Sequence, residues 1–398
     1  MRVPLLDLTR QYPLVKDDIA SRIARLFESQ QFILGPAVEE FEEAFRSLIG
    51  CGHAVGMSSG TDAQLAILMA MRIGPGDAVL TTPYTFFATA GCIHRTGAEP
   101  VFVDVEEDSL NLDPEKLREF LEEQCQPGPD GSLLTPRGNR LRAIVPVHLF
   151  GMCCRMDEIL ALAKRFQLAV IEDAAQAVGA EYQSASGVVK AGAIAESAYF
   201  SFFPTKNLGG AGDGGISVCR DEELAVRLRL MRNHGMAERY FHHEVGGNFR
   251  LDALQAAVIH AKLPHLAEWN AGRRRNAALY REAFSGLGDF IRPPVPPAAD
   301  LENSHIYHQY VIRARDRDAL MASLQGAGIG CAIYYPVPLH LQECFAYLGH
   351  KPGDFPVSEA ASRESLALPI FPELRPEEIE AVTDAIRGFY QTSGHLAR

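Results

Sequence analysis

"SAYFSFFPTKNLGGAGDGG" occupies residues 197–215. Two apolar stretches, 199–203 and 214–219, flank a glycine-rich turn that carries one cation, Lys206, with Asp213 as the nearest charged residue in the stretch. A lysine held between two strands either snorkels to solvent or serves a site. In an open parallel sheet, sites form outside the carboxyl ends of the strands, so the reading of this turn depends on what kind of sheet surrounds it.

Upstream, short apolar runs alternate with helical patterns. "HAVGMSSG" (53–60), "DAVLTT" (77–82), "EPVFVDV" (99–105), "RAIVPVHLFG" (142–151) and "LAVIEDAAQ" (168–176) read as strands. "DAQLAILMAMRI" (62–73) and "MDEILALAKRFQ" (156–167) carry helical spacing between them. The alternation predicts an α/β fold with a mostly parallel sheet covered on both faces. "CQPGPDGSLLTPRGNRL" (125–141), rich in Gly and Pro, predicts an exposed loop or hairpin. Downstream, residues 252–284 read as helix, bent or broken at Pro264, and "IRPPVPPAADLEN" (291–303) reads as a linker. A smaller α+β unit follows, with strands at 306–314 and 331–336 and helices at 317–328 and 376–390. The expected division is a large α/β domain, 1–250, and a connecting helix with a small C-terminal domain, 251–398.

The bulk numbers narrow the function classes. The chain has 398 residues, 47% hydrophobic and 22% charged, enough for two domains. A net charge of -12 argues against a general nucleic-acid binder. No apolar run is long enough to span a membrane, and the first residues, "MRVPLLDLTRQYP", resemble neither a signal peptide nor an anchor. A cytoplasmic protein is expected. The eight cysteines show no C-x-x-C spacing and the thirteen histidines no H-E-x-x-H arrangement, so buried free thiols and no metal are expected.

Three features converge on the sheet's carboxyl edge. "SSGTDA" (58–63) lies between a strand and a helix, where small residues and free N–H groups at Ser59, Gly60 and Thr61 suit a phosphate; a plain N-cap by Thr61 or Asp62 is the competing reading. "VIEDAAQA" (170–177) ends a strand in two acids, Glu172 and Asp173, which need a partner such as a protonated ring nitrogen, or else cap or ligate. Lys206, in a desolvated pocket, becomes a nucleophile toward carbonyls. Cradle, acid and lysine together describe pyridoxal phosphate.

Six motifs, "FILGPAVEEFE", "SSGTDA", "TFFAT", "EDAAQA", "SFFPTKNLGG" and "GGNFRLDALQAA", in this order, resemble the DegT/DnrJ/EryC1/StrS family of sugar aminotransferases, from "LDL" at 6–8 to "LPIFP" at 368–372. The resemblance implies an aspartate-aminotransferase-like fold, a homodimer with composite active sites, and transfer of an amino group from L-glutamate to a nucleotide-linked keto sugar. It implies Lys206 as the lysine joined to the cofactor, Asp173 at the pyridine nitrogen and Gln176 at the ring hydroxyl. It implies Ser201, Gly60 and Thr61 at the phosphate, Phe86 stacked on the ring, and Asn248 reaching the phosphate from the other subunit, with Arg250 beside it. Tyr334, Tyr335 and His340, in "YYPVPLH", become substrate candidates, although packing of an aromatic strand end explains Tyr335 and His340 equally well.

Phe203 stands where many relatives acting on 4-keto sugars carry histidine, which favours a 3-keto sugar; a 4-keto aminotransferase, a sugar dehydratase and a non-catalytic sensor are the alternatives. An acidic chain must also recruit an anionic sugar nucleotide. Arg232, Arg239 and Arg250, in 231–250, are the candidates to contact the diphosphate, against salt bridging to Glu238 and Glu244.

Overall fold

The computed structural model describes residues 1–129, 131–297 and 301–392. Seven strands form the main path of a nine-stranded central sheet: β1 (His53–Met57), β2 (Asp77–Thr81), β3 (Glu99–Phe102), β4 (Arg140–Ile144), β5 (Ala169–Asp173), β6 (Ser197–Ser201) and β7 (Gly215–Cys219). Their order is β1-β7-β6-β5-β4-β2-β3. All neighbouring pairs are parallel except those made by β7, which runs antiparallel to both β1 and β6. The sheet is buried on both faces, which is why its strands read as continuous apolar runs rather than alternating ones. The loop expected at 125–141 is a hairpin: Gln126–Pro127 pairs with Leu133–Leu134, which in turn pairs with β4.

Helix Gly60–Ala70 packs against β6 and β7, and eight of its eleven residues are buried. Its run of Ala, Leu and Ile is therefore explained by contact on all sides rather than by an amphipathic stripe. Helices Tyr12–Ser29, Pro36–Ile49 and Ala253–Lys262 pack together over the other face. Among the described residues no helix is long and apolar enough to cross a membrane.

Pro264 sits in a short 3₁₀ turn, Leu263–His265, between Ala253–Lys262 and the long helix Leu266–Ala283. The missing proline N–H is tolerated at that break. The smaller sheet contains β8 (Ile291–Arg292), β9 (Tyr310–Ala314) and β10 (Ser365–Leu368), all antiparallel. Two expectations change here. Residues 331–336 form no strand, only the bridge Ala332–Ala367, and the third strand is the short "SLAL" of β10. The linker expected at 291–303 begins with strand β8, and residues 298–300 of it lie outside the described residues.

The two cores divide the chain less simply than a cut after residue 250. Ala253, Ala256 and Ile259 belong to the core of the large unit, whereas Val3 joins Tyr280, Tyr310 and Ile329 in that of the small one. The eight cysteines are free, six of them buried, with Cys331 partly buried and Cys344 exposed.

Candidate active site

Helix Gly60–Ala70 begins where β1 and β6 end and β7 starts. The Ser59 hydroxyl accepts the Asp62 N–H at 3.0 Å, so Ser59, rather than Thr61 or Asp62, is the N-cap. The N–H groups of Gly60 and Thr61 are left without intrahelical partners. The backbone is tightly drawn in at this point. A Cβ on Gly60 would stand 2.7 Å from Ser201 Cβ, and one on Gly215 would stand 2.3 Å from the Ser59 carbonyl. Only glycine lets the helix start, the end of β6 and the start of β7 close on one another. The result is an anion cradle of Gly60, Thr61 and Ser201, with the positive end of the helix dipole behind it.

The two acids at the end of β5 part company because successive strand residues point to opposite faces. Glu172 is fully buried, and its carboxylate accepts N–H groups from Gly192 (2.8 Å), Ile194 (2.9 Å) and Ala195 (2.7 Å) and meets His148 Nε2 at 2.9 Å. It ties a loop to the back of the sheet. Asp173 turns to the other face. Its Oδ2 accepts the Thr89 hydroxyl at 2.8 Å and its Oδ1 the Ala175 N–H at 3.2 Å. A carboxylate has about four acceptor positions, so Asp173 keeps capacity for a further donor.

Lys206 lies in the turn between β6 and β7. Desolvation lowers its pKa to about 8, while the nearby Asp173 carboxylate opposes the shift. A lysine near that value has an appreciable free-amine fraction near neutrality. Gln176 is held between two partners: Oε1 accepts the Phe150 N–H at 2.7 Å, and Nε2 donates to the Tyr335 hydroxyl at 3.1 Å. The rings of Phe86 and Tyr335 lie 6.4 Å apart. Phe86 is 56% exposed, so its ring is accessible to a ligand. The Tyr334 carbonyl accepts from the Tyr84 hydroxyl, and Tyr334 lines a cavity of about 100 Å³ with Thr205, His308 and Gln309.

Not every candidate lies in the cleft. His340 is 2% exposed, packs 4.7 Å from Phe355 and meets Glu359 at 3.2 Å; it belongs to a separate aromatic cluster. Arg232 is buried and pairs with Glu42 at 2.5 Å, so it braces the large unit rather than awaiting a diphosphate. Glu244 pairs with Arg72 and Arg227, not with the arginines of its own segment. Arg239 is exposed, with its guanidinium 5.1 Å from the Tyr240 ring. Asn248 is exposed, and Arg250 donates to Asn233 Oδ1 at 2.8 Å while its buried Nε has no partner. Thr89 and His148 were not singled out from the sequence. Thr89 lies in the quoted "TFFAT", but nothing in the residue type announces its bond to Asp173.

A desolvated lysine facing an acid beside an anion cradle belongs to an enzyme that captures carbonyl compounds on its amine. Comparison with known proteins gives the family. The DegT/DnrJ/EryC1/StrS aminotransferase family model matches residues 13–387, and the chain belongs to that family. It is 43% identical to the "Pleiotropic regulatory protein" of Geobacillus stearothermophilus, covering 98% of this chain and 99% of the relative. It is 40% identical to the UDP-N-acetyl-3-dehydro-alpha-D-glucosamine 3-aminotransferase of Acidithiobacillus ferrooxidans, covering 97% of each. The solved structure of Streptomyces venezuelae DesV, in complex with a ketimine intermediate, superposes with a TM-score of 0.88 at 38% identity, covering 98% of both chains. The protein shares the fold of DesV, an aminotransferase fold of the pyridoxal-phosphate type.

Proposed function

We propose that the protein moves an amino group from L-glutamate to the C3 keto carbon of a nucleotide-linked sugar, with pyridoxal 5'-phosphate as cofactor. The observation that carries this reading is Lys206, lowered to about 8 by desolvation and facing Asp173 at the carboxyl edge of the sheet. The relative from Acidithiobacillus ferrooxidans, named as a 3-aminotransferase, supports the choice of C3, and no feature of the cleft favours a dehydratase or a sensor.

The cradle fits the cofactor. Gly60, Thr61 and Ser201 would hold its phosphate, Asp173 the proton of its ring nitrogen, Gln176 its ring hydroxyl, and Phe86 would cover its face. When bound, the cofactor supplies an aldehyde that captures amines and a ring that accepts electrons. The chain's own contribution is positioning and proton transfer. Asp173 would keep the ring nitrogen protonated, because a carboxylate with acceptor positions to spare favours the charged form of a nearby N–H. Lys206 Nζ would carry the proton away from the α-carbon of the amino donor and return it, from the same face, to the neighbouring carbon of the cofactor's carbonyl group, work that typically contributes about 10²–10⁴-fold. The same residue reverses these moves on the sugar. A second copy of the chain completes the site, with Asn248 contributed across the interface. In support, residues 240–245 project with Tyr240, Phe241 and Val245 at 76%, 64% and 88% exposure, an apolar tip suited to burial in a dimer. The protein acts in the cytoplasm.

The test uses ¹⁵N-labelled L-glutamate, pyridoxal phosphate and a panel of 3-keto and 4-keto nucleotide sugars. Label is expected in the amine of a 3-amino product. Label confined to 4-amino products overturns the choice of C3, and label in none overturns the assignment.

A further inference from the structure

Asn207, the residue after Lys206, is 5% exposed. A buried amide needs its donors and its acceptor matched. Asn270 Nδ2 donates to the Val178 carbonyl at 3.2 Å, which turns Asn270 Oδ1 toward Asn207. That oxygen accepts from Asn207 Nδ2 at 2.8 Å. With a longer donation to the Ile306 carbonyl at 3.4 Å, the amide hydrogens of Asn207 are spent. Asn207 Oδ1 is left facing His308 Nδ1 at 3.0 Å. An amide oxygen cannot donate, so His308 carries its proton on Nδ1 and presents a bare Nε2. A single orientation thus runs from a fixed backbone carbonyl through three side chains to one imidazole tautomer.

We propose that Asn207 and His308 are positioning residues for Lys206: the relay pins the turn carrying the lysine to the connection between the two units and keeps the adjoining imidazole uncharged. Its members come from three places. Asn207 belongs to the lysine turn of the large unit, Asn270 to helix Leu266–Ala283, and His308 to the segment leading into β9. Val178, the anchor, lies two residues beyond Gln176. The charged groups facing His308 are Lys206 and Arg273, and both, after burial, hold its pKa well below the ordinary histidine value. Lys206 itself faces Asp173. An imidazolium here would put a second cation beside the lysine in a site that already disfavours one. The proposal rests on Lys206 being the reactive amine.

The experiment measures the rate of Lys206 acetylation against pH, by mass spectrometry, in the full chain freed of cofactor. The wild-type midpoint is expected near 8. In His308→Leu, Asn207 Oδ1 loses its donor, the turn loosens and water enters. The midpoint should rise by about one pH unit or more toward the ordinary lysine value. His308→Asn keeps a donor opposite Asn207 and should stay within about 0.3 unit of wild type. A merely structural role would lower the melting temperature without moving the midpoint. The proposal is overturned if folded His308→Leu titrates as wild type, or if His308→Asn shifts as far as His308→Leu. Should His308→Leu fail to fold, Asn207→Ser, too short to span both partners, is expected to show the same rise, and a wild-type midpoint there overturns the proposal. A wild-type midpoint at the ordinary lysine value would instead remove the basis for reading Lys206 as the nucleophile.

Discussion

Glu172 and Asp173 are neighbours of like charge at the end of one strand, and they divide the molecule into two regions. Behind the sheet, Glu172 has three backbone N–H donors and an imidazole, all from its own chain. In front, Asp173 has one hydroxyl and one N–H, and it shares its space with a lysine whose proton is loosely held. The rear region is electrostatically complete. The front region becomes complete only with something added. A buried charge satisfied by its own chain serves the fold, whereas one left short of partners marks the site.

The sharpest way to break this contrast is Lys206→Ala. It should reduce turnover by at least about 10⁴-fold, since both amine capture and proton transfer are lost, and a mutant within tenfold of wild type would refute the role of Lys206. Asp173→Asn comes next. Turnover should fall by about 10²–10⁴-fold with the urea midpoint nearly unchanged, because a neutral amide no longer holds a ring proton. Glu172→Gln should show the opposite pattern. Its amide hydrogens would face existing donors, so about 2–4 kcal/mol of stability should be lost in urea denaturation, while kcat of the surviving folded enzyme stays near wild type. If both acids affect the same property, the division between front and rear fails.

A pH profile sharpens the front region further. The folded pKa of Lys206 is lowered to about 8, below the unfolded value of about 10.4. Between those values the unfolded chain binds more protons, so the cofactor-free protein gains stability as pH rises from about 8 to about 10.4. Lys206→Met should melt higher than wild type below pH 8, with the difference shrinking across that window; a constant difference would mean the lysine is not desolvated. The smallest effect belongs to Arg239→Ala. KM for the sugar nucleotide should rise about 3–10-fold with the glutamate half-reaction unchanged, and equal changes in both half-reactions would leave Arg239 without a substrate role.

Much of the front region was legible in the sequence because strand–turn–helix punctuation places residues at a sheet edge without any knowledge of long-range packing. That reasoning located Gly60, Lys206 and the acid pair Glu172–Asp173. It could not say which of Glu172 and Asp173 faced forward, since alternation gives two faces but not which one carries the site. Nor could it separate Arg232 from Arg239. Both are arginines in one polar segment, and only the distant Glu42 draws one of them inside. His340 shared a motif with Tyr335, yet the chain turns between them and sends the histidine into another cluster. β10 escaped notice because "SLAL" lacks β-branched residues, so its strand state comes from pairing with β9 rather than from local preference. The Asn207–His308 relay was invisible for a related reason, since its partners are scattered between residues 178 and 308.

The loop held by Glu172 has a dynamic consequence. The amides of Gly192, Ile194 and Ala195 lie outside any strand or helix, yet each donates to a carboxylate that is itself fully buried. Those three amides should exchange with deuterium on the timescale of the sheet rather than of a loop, because releasing any one of them requires exposing a charge. They form a built-in gauge of the rear of the protein, readable by mass spectrometry whether or not the front is filled.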